Sequence, residues 1–339
     1  MACLICIIVL TLFGQVIGDD RSAVAAVEKV PEFRGVAATN SVAWSADGAT
    51  LLAGNPSGDL YLFDADTGAL RRTISGGDAF VPFATFSPDE TFIAAADYAG
   101  RLSIYETASG KLLARQRGHD AETTSAAVHP DGNAIATGGK DGNLVLWNWD
   151  GEQLTKVRQI DKAVRDFANQ VAFNPEGSSV ATTGFESRED RTGLVAVFDV
   201  QTGEPVMRVV VPAFANSIEF GPAGETIYVG TAVGKVRGYD VATGGPIRQD
   251  PADVEVVAND ISLLVEDGRV TGVIAACGDG ILRRATFDRG IDWAVRANGS
   301  ICFYAALSPS GDRVATSGND GSLRIFDTDG KLLRTIGGR

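Results

Sequence analysis

Beyond residue 22 the chain is a succession of short apolar runs cut by turns rich in Gly, Asp and Asn. The first unit holds four such runs, "NSVAWS", "TLLAGN", "LYLFDA" and "LRRTIS". Runs of this length between tight turns read as strands joined by hairpins. No helical spacing of apolar positions occurs from residue 23 onward. The unit then repeats. Its first turn, "WSADG" at Gly48, returns as "FSPDE" at Glu90, "VHPDG" at Gly132, "FNPEG" at Gly177, "FGPAG" at Gly224, "LVEDG" at Gly268 and "LSPSG" at Gly311. The steps between them are 42, 42, 45, 47, 44 and 43 residues. A four-stranded unit of about forty residues is one propeller blade. The expectation is therefore an all-β chain, a seven-bladed β-propeller of four-stranded antiparallel blades. The blades fall at about 40–77, 80–119, 122–160, 168–212, 214–252, 256–298 and 300–338, within a propeller covering 23–339.

Composition fits this picture. At 339 residues the chain is long for one ordinary domain, but a closed ring of repeats grows without enlarging any single core. Forty glycines and two methionines suit many short strands and turns. The 30 basic and 43 acidic residues leave a net charge of -13. That field repels a phosphate backbone, and no Lys/Arg run overrides it, so no nucleic-acid partner is expected.

The first 18 residues, "MACLICIIVLTLFGQVIG", are apolar and end in small residues before "DDRS". This is the pattern of a signal peptide, 1–18, cleaved after Gly18. The apolar run 2–13 is short for a bilayer span. It carries no Lys or Arg ahead of it, which leaves an uncleaved anchor or a different start codon as alternatives. The expectation is a secreted or periplasmic protein with no membrane span once the leader is removed. Cys3 and Cys6 would leave with the leader; Cys277 and Cys302 remain, in a compartment that permits pairing.

The third unit resembles the WD-repeat (WD40) β-propellers: "GHD" at 118–120, "HPDG" at 129–132, "IATGGKDG" at 135–142 and "LVLWN" at 144–148. Weaker copies are "YLFDADTG" at 61–68, "SIYETASG" at 103–110, "AVFDVQTG" at 196–203, "RGYDVATG" at 237–244 and "RIFDTDG" at 324–330. In that family a His, a Ser/Thr, an Asp and a Trp form a buried hydrogen-bonded set. The resemblance assigns those four roles to His119, Thr137, Asp141 and Trp147. A catalytic triad would instead need an exposed nucleophile and an oxyanion site, which nothing nearby supplies. Other units place Phe63, Tyr105, Phe198, Tyr239 and Phe326 at the Trp position. The sixth has Ala285 there, and a large-to-small change in a core costs about 3 to 5 kcal/mol. Trp293 is the residue expected to fill that space. The family also pairs an N-terminal strand with the last blade, for which 25–35 is the candidate. Residues 331–339 compete for the same place.

Four residues before the bulky end of each innermost strand stand Asn40, Pro82, Thr124, Asn169, Asn216, Asp260 and Phe303. They predict a mostly polar ring at one channel mouth, serving either a ligand or local capping of strand ends. Ala43, Thr85, Ala127 and Ala172 are small enough to let strands converge on the axis. The same top face should carry the expanded loop "FESREDRTG", 185–193, with Arg188. Phe80, Tyr98, Phe167 and Phe214 join it if exposed, since aromatic and Arg side chains dominate binding surfaces. Cys277 and Cys302 also fall toward this end. A disulfide between them would clamp blade six to blade seven; two buried free thiols are the plainer reading.

The leading expectation is a monomeric, exported, non-enzymatic interaction platform that binds a protein or peptide through its top face, with no cofactor and no metal. The alternative is a propeller enzyme binding a cofactor or small ligand, quinone-type or hydrolase. The D-x-x-T-G turns at Asp64, Asp199 and Asp240 bear a likeness to quinone-cofactor propeller repeats, but "ALRR", "EPVM" and "GPIR" follow where those repeats place a Trp. Metal chemistry is poorly served: His119 and His129 are the only histidines, and "DADTG" at 64–68 lacks the remaining ligands of a calcium loop.

Overall fold

The computed structural model describes residues 40–247, 253–286 and 289–337. The leader and residues 25–35 lie outside them. The described residues form twenty-seven strands and no helix, so none is long and apolar enough to cross a membrane as a helix. Six sheets have four strands in simple up-and-down order, each pairing antiparallel with the next. The fifth has three, Ala215–Phe220, Thr226–Thr231 and Val236–Asp240, and its outer side is met by two bridges, Tyr239 to Pro246 and Lys235 to Asp253. The innermost strands are Ala43–Trp44, Phe83–Phe86, Thr123–Val128, Asp166–Phe173, Ala215–Phe220, Ala258–Glu266 and Cys302–Leu307. The chain is a seven-bladed all-β propeller.

Alternation within each strand sends one set of apolar side chains to the preceding blade and the other to the following one. Seven of the resulting hydrophobic clusters among the described residues lie one at each blade-to-blade interface. Phe63, Tyr105, Trp147, Phe198, Tyr239 and Phe326, all buried, each face the preceding blade from the third strand. Ala285 occupies that position in blade six. Contrary to expectation, Trp293 does not compensate for it. Tyr228 of blade five shares a cluster with Ala285, with Ile247 packed against it. Trp293 belongs to the opposite interface, against blade seven. Trp293 pairs with Arg284, one strand position away from Ala285, so its side chain points to the other face of the sheet.

Blade seven is completed by Leu332–Gly337 as its outer strand. The ring closes by packing blade one on blade seven: Trp44, Leu51, Phe63, Leu323, Ile325 and Ile336 share one cluster. Polar contacts reinforce the seam. Trp44 Nε1 donates to Ala306 O at 2.8 Å, and Arg313 reaches Asp66 at 2.9 Å and Gly48 O at 3.0 Å.

Candidate functional site

The four residues assigned by resemblance lie together in blade three. Trp147 Nε1 donates to Thr137 Oγ1 at 2.9 Å, and Thr137 Oγ1 lies 2.9 Å from His119 Nε2. His119 Nδ1 sits 3.1 Å from Asp141 Oδ1. Asp141 also accepts from the amides of Asp120 and Asn143, contacts that help hold its carboxyl below the usual range against burial. His119, Thr137 and Trp147 are buried. The consistent proton arrangement runs from Trp147 N–H to Thr137, from the Thr137 hydroxyl to His119 Nε2, and from Nδ1–H to Asp141. Both functions of the Thr137 hydroxyl are thereby occupied, and the set ties the turn to the loop and strands around it.

The D-x-x-T-G turns have a structural account too. Asp64 Oδ1 accepts from Thr67 N and Oγ1, both at 2.7 Å. Asp199 with Thr202 and Asp240 with Thr243 repeat the arrangement. Each turn closes with a glycine in the left-handed region, Gly68, Gly203 and Gly244. These are Asx-type turn caps. Among the described residues no group of three or more His, Cys, Asp or Glu is placed to hold a metal ion.

Three of the strand-end residues make seams to the next blade. Thr124 Oγ1 donates to Ala168 O, Asn169 Nδ2 to Ala215 O at 2.7 Å and Asn216 Nδ2 to Ala258 O at 3.2 Å. The next member is Asn259, whose Nδ2 donates to Cys302 O at 2.9 Å. Asp260, the residue expected there, lies one position deeper. Glu266 pairs directly with Arg269 across a two-residue turn, Asp267 and Gly268, both at positive φ. That turn is tighter than those of the other blades, so counting back from Gly268 lands one residue too deep. Asp260 is 5% exposed and lines the channel. Asn40 donates its amide to Gly54 O, its Oδ1 has no partner among the described residues, and Phe303 is half-buried. Cys277 and Cys302 are free and buried, so the clamp is not formed. Burial pushes the Cys277 thiol up to about 11.

The channel, about 570 Å³, is walled by innermost strands of all seven blades. Polar residues of the innermost strands link blades through backbone amides. Ser125 Oγ accepts from Val171 N at 3.0 Å, Gln170 Oε1 from Ile218 N at 2.6 Å, Glu219 Oε2 from Leu263 N at 2.9 Å and Asp260 Oδ2 from Ala305 N at 3.2 Å. Gln170 Nε2 also donates to Asp260 Oδ1 across the channel at 3.1 Å. Burial raises both carboxyls, Glu219 to about 8 and Asp260 to about 7. Glu219, Gln170 and Asn259 carry no sequence motif, and only the repeat position would have singled them out.

The top face carries a continuous run of rings and cations across blades two to five. Phe80 and Tyr98 meet edge to face at 4.4 Å. Lys140 Nζ lies 4.6 Å from the Tyr98 ring centroid and 5.7 Å from that of Phe167. Phe167 meets Phe185 at 5.6 Å, and Phe185 meets Phe214 at 4.4 Å. The Arg188 guanidinium sits 5.3 Å from Phe167 and 5.7 Å from Phe185. All five rings are half-buried, while the Arg188 side chain is 60% exposed. A repeated backbone bond positions much of this run. The turn between second and third strands donates to the residue leading into the innermost strand: Tyr98 N to Phe80 O, Lys140 N to Glu122 O and Ala232 N to Phe214 O. Phe167 takes its place differently, at φ +50° in an irregularity of its strand. A bulky residue is costly there and is held by its surroundings. The sequence pointed to Phe80, Tyr98, Phe167, Arg188 and Phe214 but not to Lys140 or Phe185. Lys140 could have been found, because it stands two residues before Gly142 as Tyr98 stands before Gly100.

Two families match parts of the chain. WD domain, G-beta repeat (WD40) matches residues 110–148, the segment that holds the hydrogen-bonded set. The family PQQ_2, described as outer membrane protein assembly factor BamB, matches residues 191–336, spanning the end of blade four to blade seven. No curated protein matches the sequence. The division follows the residues: blade three keeps the full polar set, and the later blades keep the strand pattern with an aromatic or Ala285 in place of the Trp. With that repeat set in a ring of seven blades, the chain is a seven-bladed β-propeller whose third blade matches the WD40 repeat.

Proposed function

We propose that the protein is an exported, non-enzymatic interaction platform that binds a protein or peptide partner through the top-face patch on blades two to five. The observation carrying this reading is the unbroken line from Phe80 to Phe214, interleaved with Lys140 and Arg188. Half-buried rings on a rigid rim present apolar area at little ordering cost, and cations over their faces add about 0.5 to 1 kcal/mol each. Export draws support from the leader-like first 18 residues and from the match to a family described as an outer membrane assembly factor. The test is crosslinked affinity purification from the extracytoplasmic fraction, comparing wild type with a Tyr98→Ala, Arg188→Ala, Phe214→Ala variant. A partner retained by wild type and lost by a folded variant supports the patch; a partner retained equally by both overturns it.

A second reading, a cofactor-binding propeller, is favoured by the PQQ_2 match over 191–336. It requires the purified protein to show a quinone absorption band or to acquire one on reconstitution.

A further inference from the structure

A separate cleft of about 700 Å³ opens on the bottom face, away from the aromatic patch, where blade six meets blade seven. One wall is the long inner hairpin of blade six, Ala258–Glu266 and Arg269–Cys277, whose tight turn sets Glu266 opposite Arg269. Another is Trp293. Its Nε1 donates to Thr328 O at 3.1 Å, and its ring lies so close over Gly330 that a Cβ there would come within 2.9 Å of Cδ2. Blade seven thus fixes the plane of the indole.

The polar groups of the cleft are only partly committed. Arg284 Nη1 donates to Thr328 O at 2.8 Å, but its buried Nε makes no hydrogen bond among the described residues, with Asp292 Oδ2 at 3.5 Å. Arg269 and Glu266 are exposed, and among the described residues neither side chain has an ion pair or hydrogen bond. Three guanidiniums, of Arg269, Arg284 and Arg289, face three carboxylates, of Glu266, Asp292 and Asp329. Among the described residues the lining therefore balances positive and negative groups, on a chain of net charge -13. Such a field does not concentrate anions. Guanidiniums only donate and carboxylates only accept, so together they match a ligand whose groups do both. Hydroxyls do both, and the C–H face of a sugar ring packs on an indole. The volume is within the usual range for a ligand site, about 300 to 1,000 Å³.

We propose that this cleft binds a neutral oligosaccharide, one sugar ring against Trp293, with its hydroxyls shared between Arg269 and Arg284 as donors and Glu266 and Asp292 as acceptors. The site is independent of the top-face reading. Tryptophan fluorescence tests it directly, because Trp44, Trp147 and Trp149 are buried and Trp293 is not. The full chain is titrated with maltohexaose, cellohexaose and chitohexaose, and with trigalacturonate and inorganic phosphate as anionic probes. The expected result is saturable binding of at least one neutral hexaose that persists in about 0.5 M NaCl, where exposed ion pairs are screened. Arg269→Ala and Glu266→Gln should each weaken it about tenfold, the scale of a lost hydrogen bond to a charged group. Neither residue holds the fold together, so these variants report binding alone. Saturation by the anionic probes only, no saturation by any hexaose, or full affinity in both variants overturns the proposal.

Discussion

Replacing Glu219 by Gln should stabilise the protein in alkaline solution and leave it nearly unchanged at pH 5. Burial in the channel wall is the main cause that raises this carboxyl from 4.5 to about 8; the Leu263 amide opposes the rise and the nearby Asp260 adds to it. The unfolded chain releases the same proton near 4.5. Between those values the folded state binds more protons, so stability falls as pH rises. The contribution is fully present below the window and lost above it. At about 1.4 kcal/mol per pH unit the window caps the cost at ~5 kcal/mol. Hydration from the channel mouth screens the charge, so ~2 to 3 kcal/mol is the working figure. Gln keeps an oxygen for the Leu263 N–H and cannot ionise. In a chain of this length each kcal/mol moves Tm by about 1 to 2 °C. Scanning calorimetry should therefore show the variant melting ~3 to 5 °C above wild type at pH 9, with no more than about 1 °C between them at pH 5. Equal gains at both pH values, or a loss at pH 9, would refute the reasoning.

Thr137→Val removes the hydroxyl that joins Trp147 to His119 and leaves two buried polar groups unpaired, so urea unfolding should show a loss of about 2 to 4 kcal/mol. A loss below that of an ordinary surface substitution would show that blade three does not depend on the set. Asn216→Ala removes one seam to Ala258 O and should cost about 1 kcal/mol by the same measurement; no loss would mean the seam is replaced by solvent. Cys277 and Cys302 are buried, and burial raises both thiols, Cys277 to about 11. Iodoacetamide at pH 8 should leave both unmodified in the native protein and alkylate both in denaturant without prior reduction. A peptide linking the two in a non-reduced digest would contradict this.

Much of the architecture was legible before any coordinates. The recurring turn glycines count the blades, the "IATGGKDG" and "LVLWN" stretches locate the hydrogen-bonded set, and strand ends and one expanded loop point to Phe80, Tyr98, Phe167, Arg188 and Phe214. Such features are legible because they are local: alternation, turn chemistry and repeat position fix which layer a residue enters. Tertiary structure decided what those residues meet. One tight turn at Asp267 and Gly268 moved Asp260 from the channel mouth to its wall, and pairing with Arg284 rather than Ala285 turned Trp293 toward blade seven. Lys140 completed the aromatic run only because blades two, three and four stand side by side. Gln170 meets Asp260 across 90 residues of chain, and Trp44 meets Ala306 across 262. No local pattern encodes such contacts. They exist because the last blade packs on the first, and that closure sets the burial that raises Glu219 and Asp260.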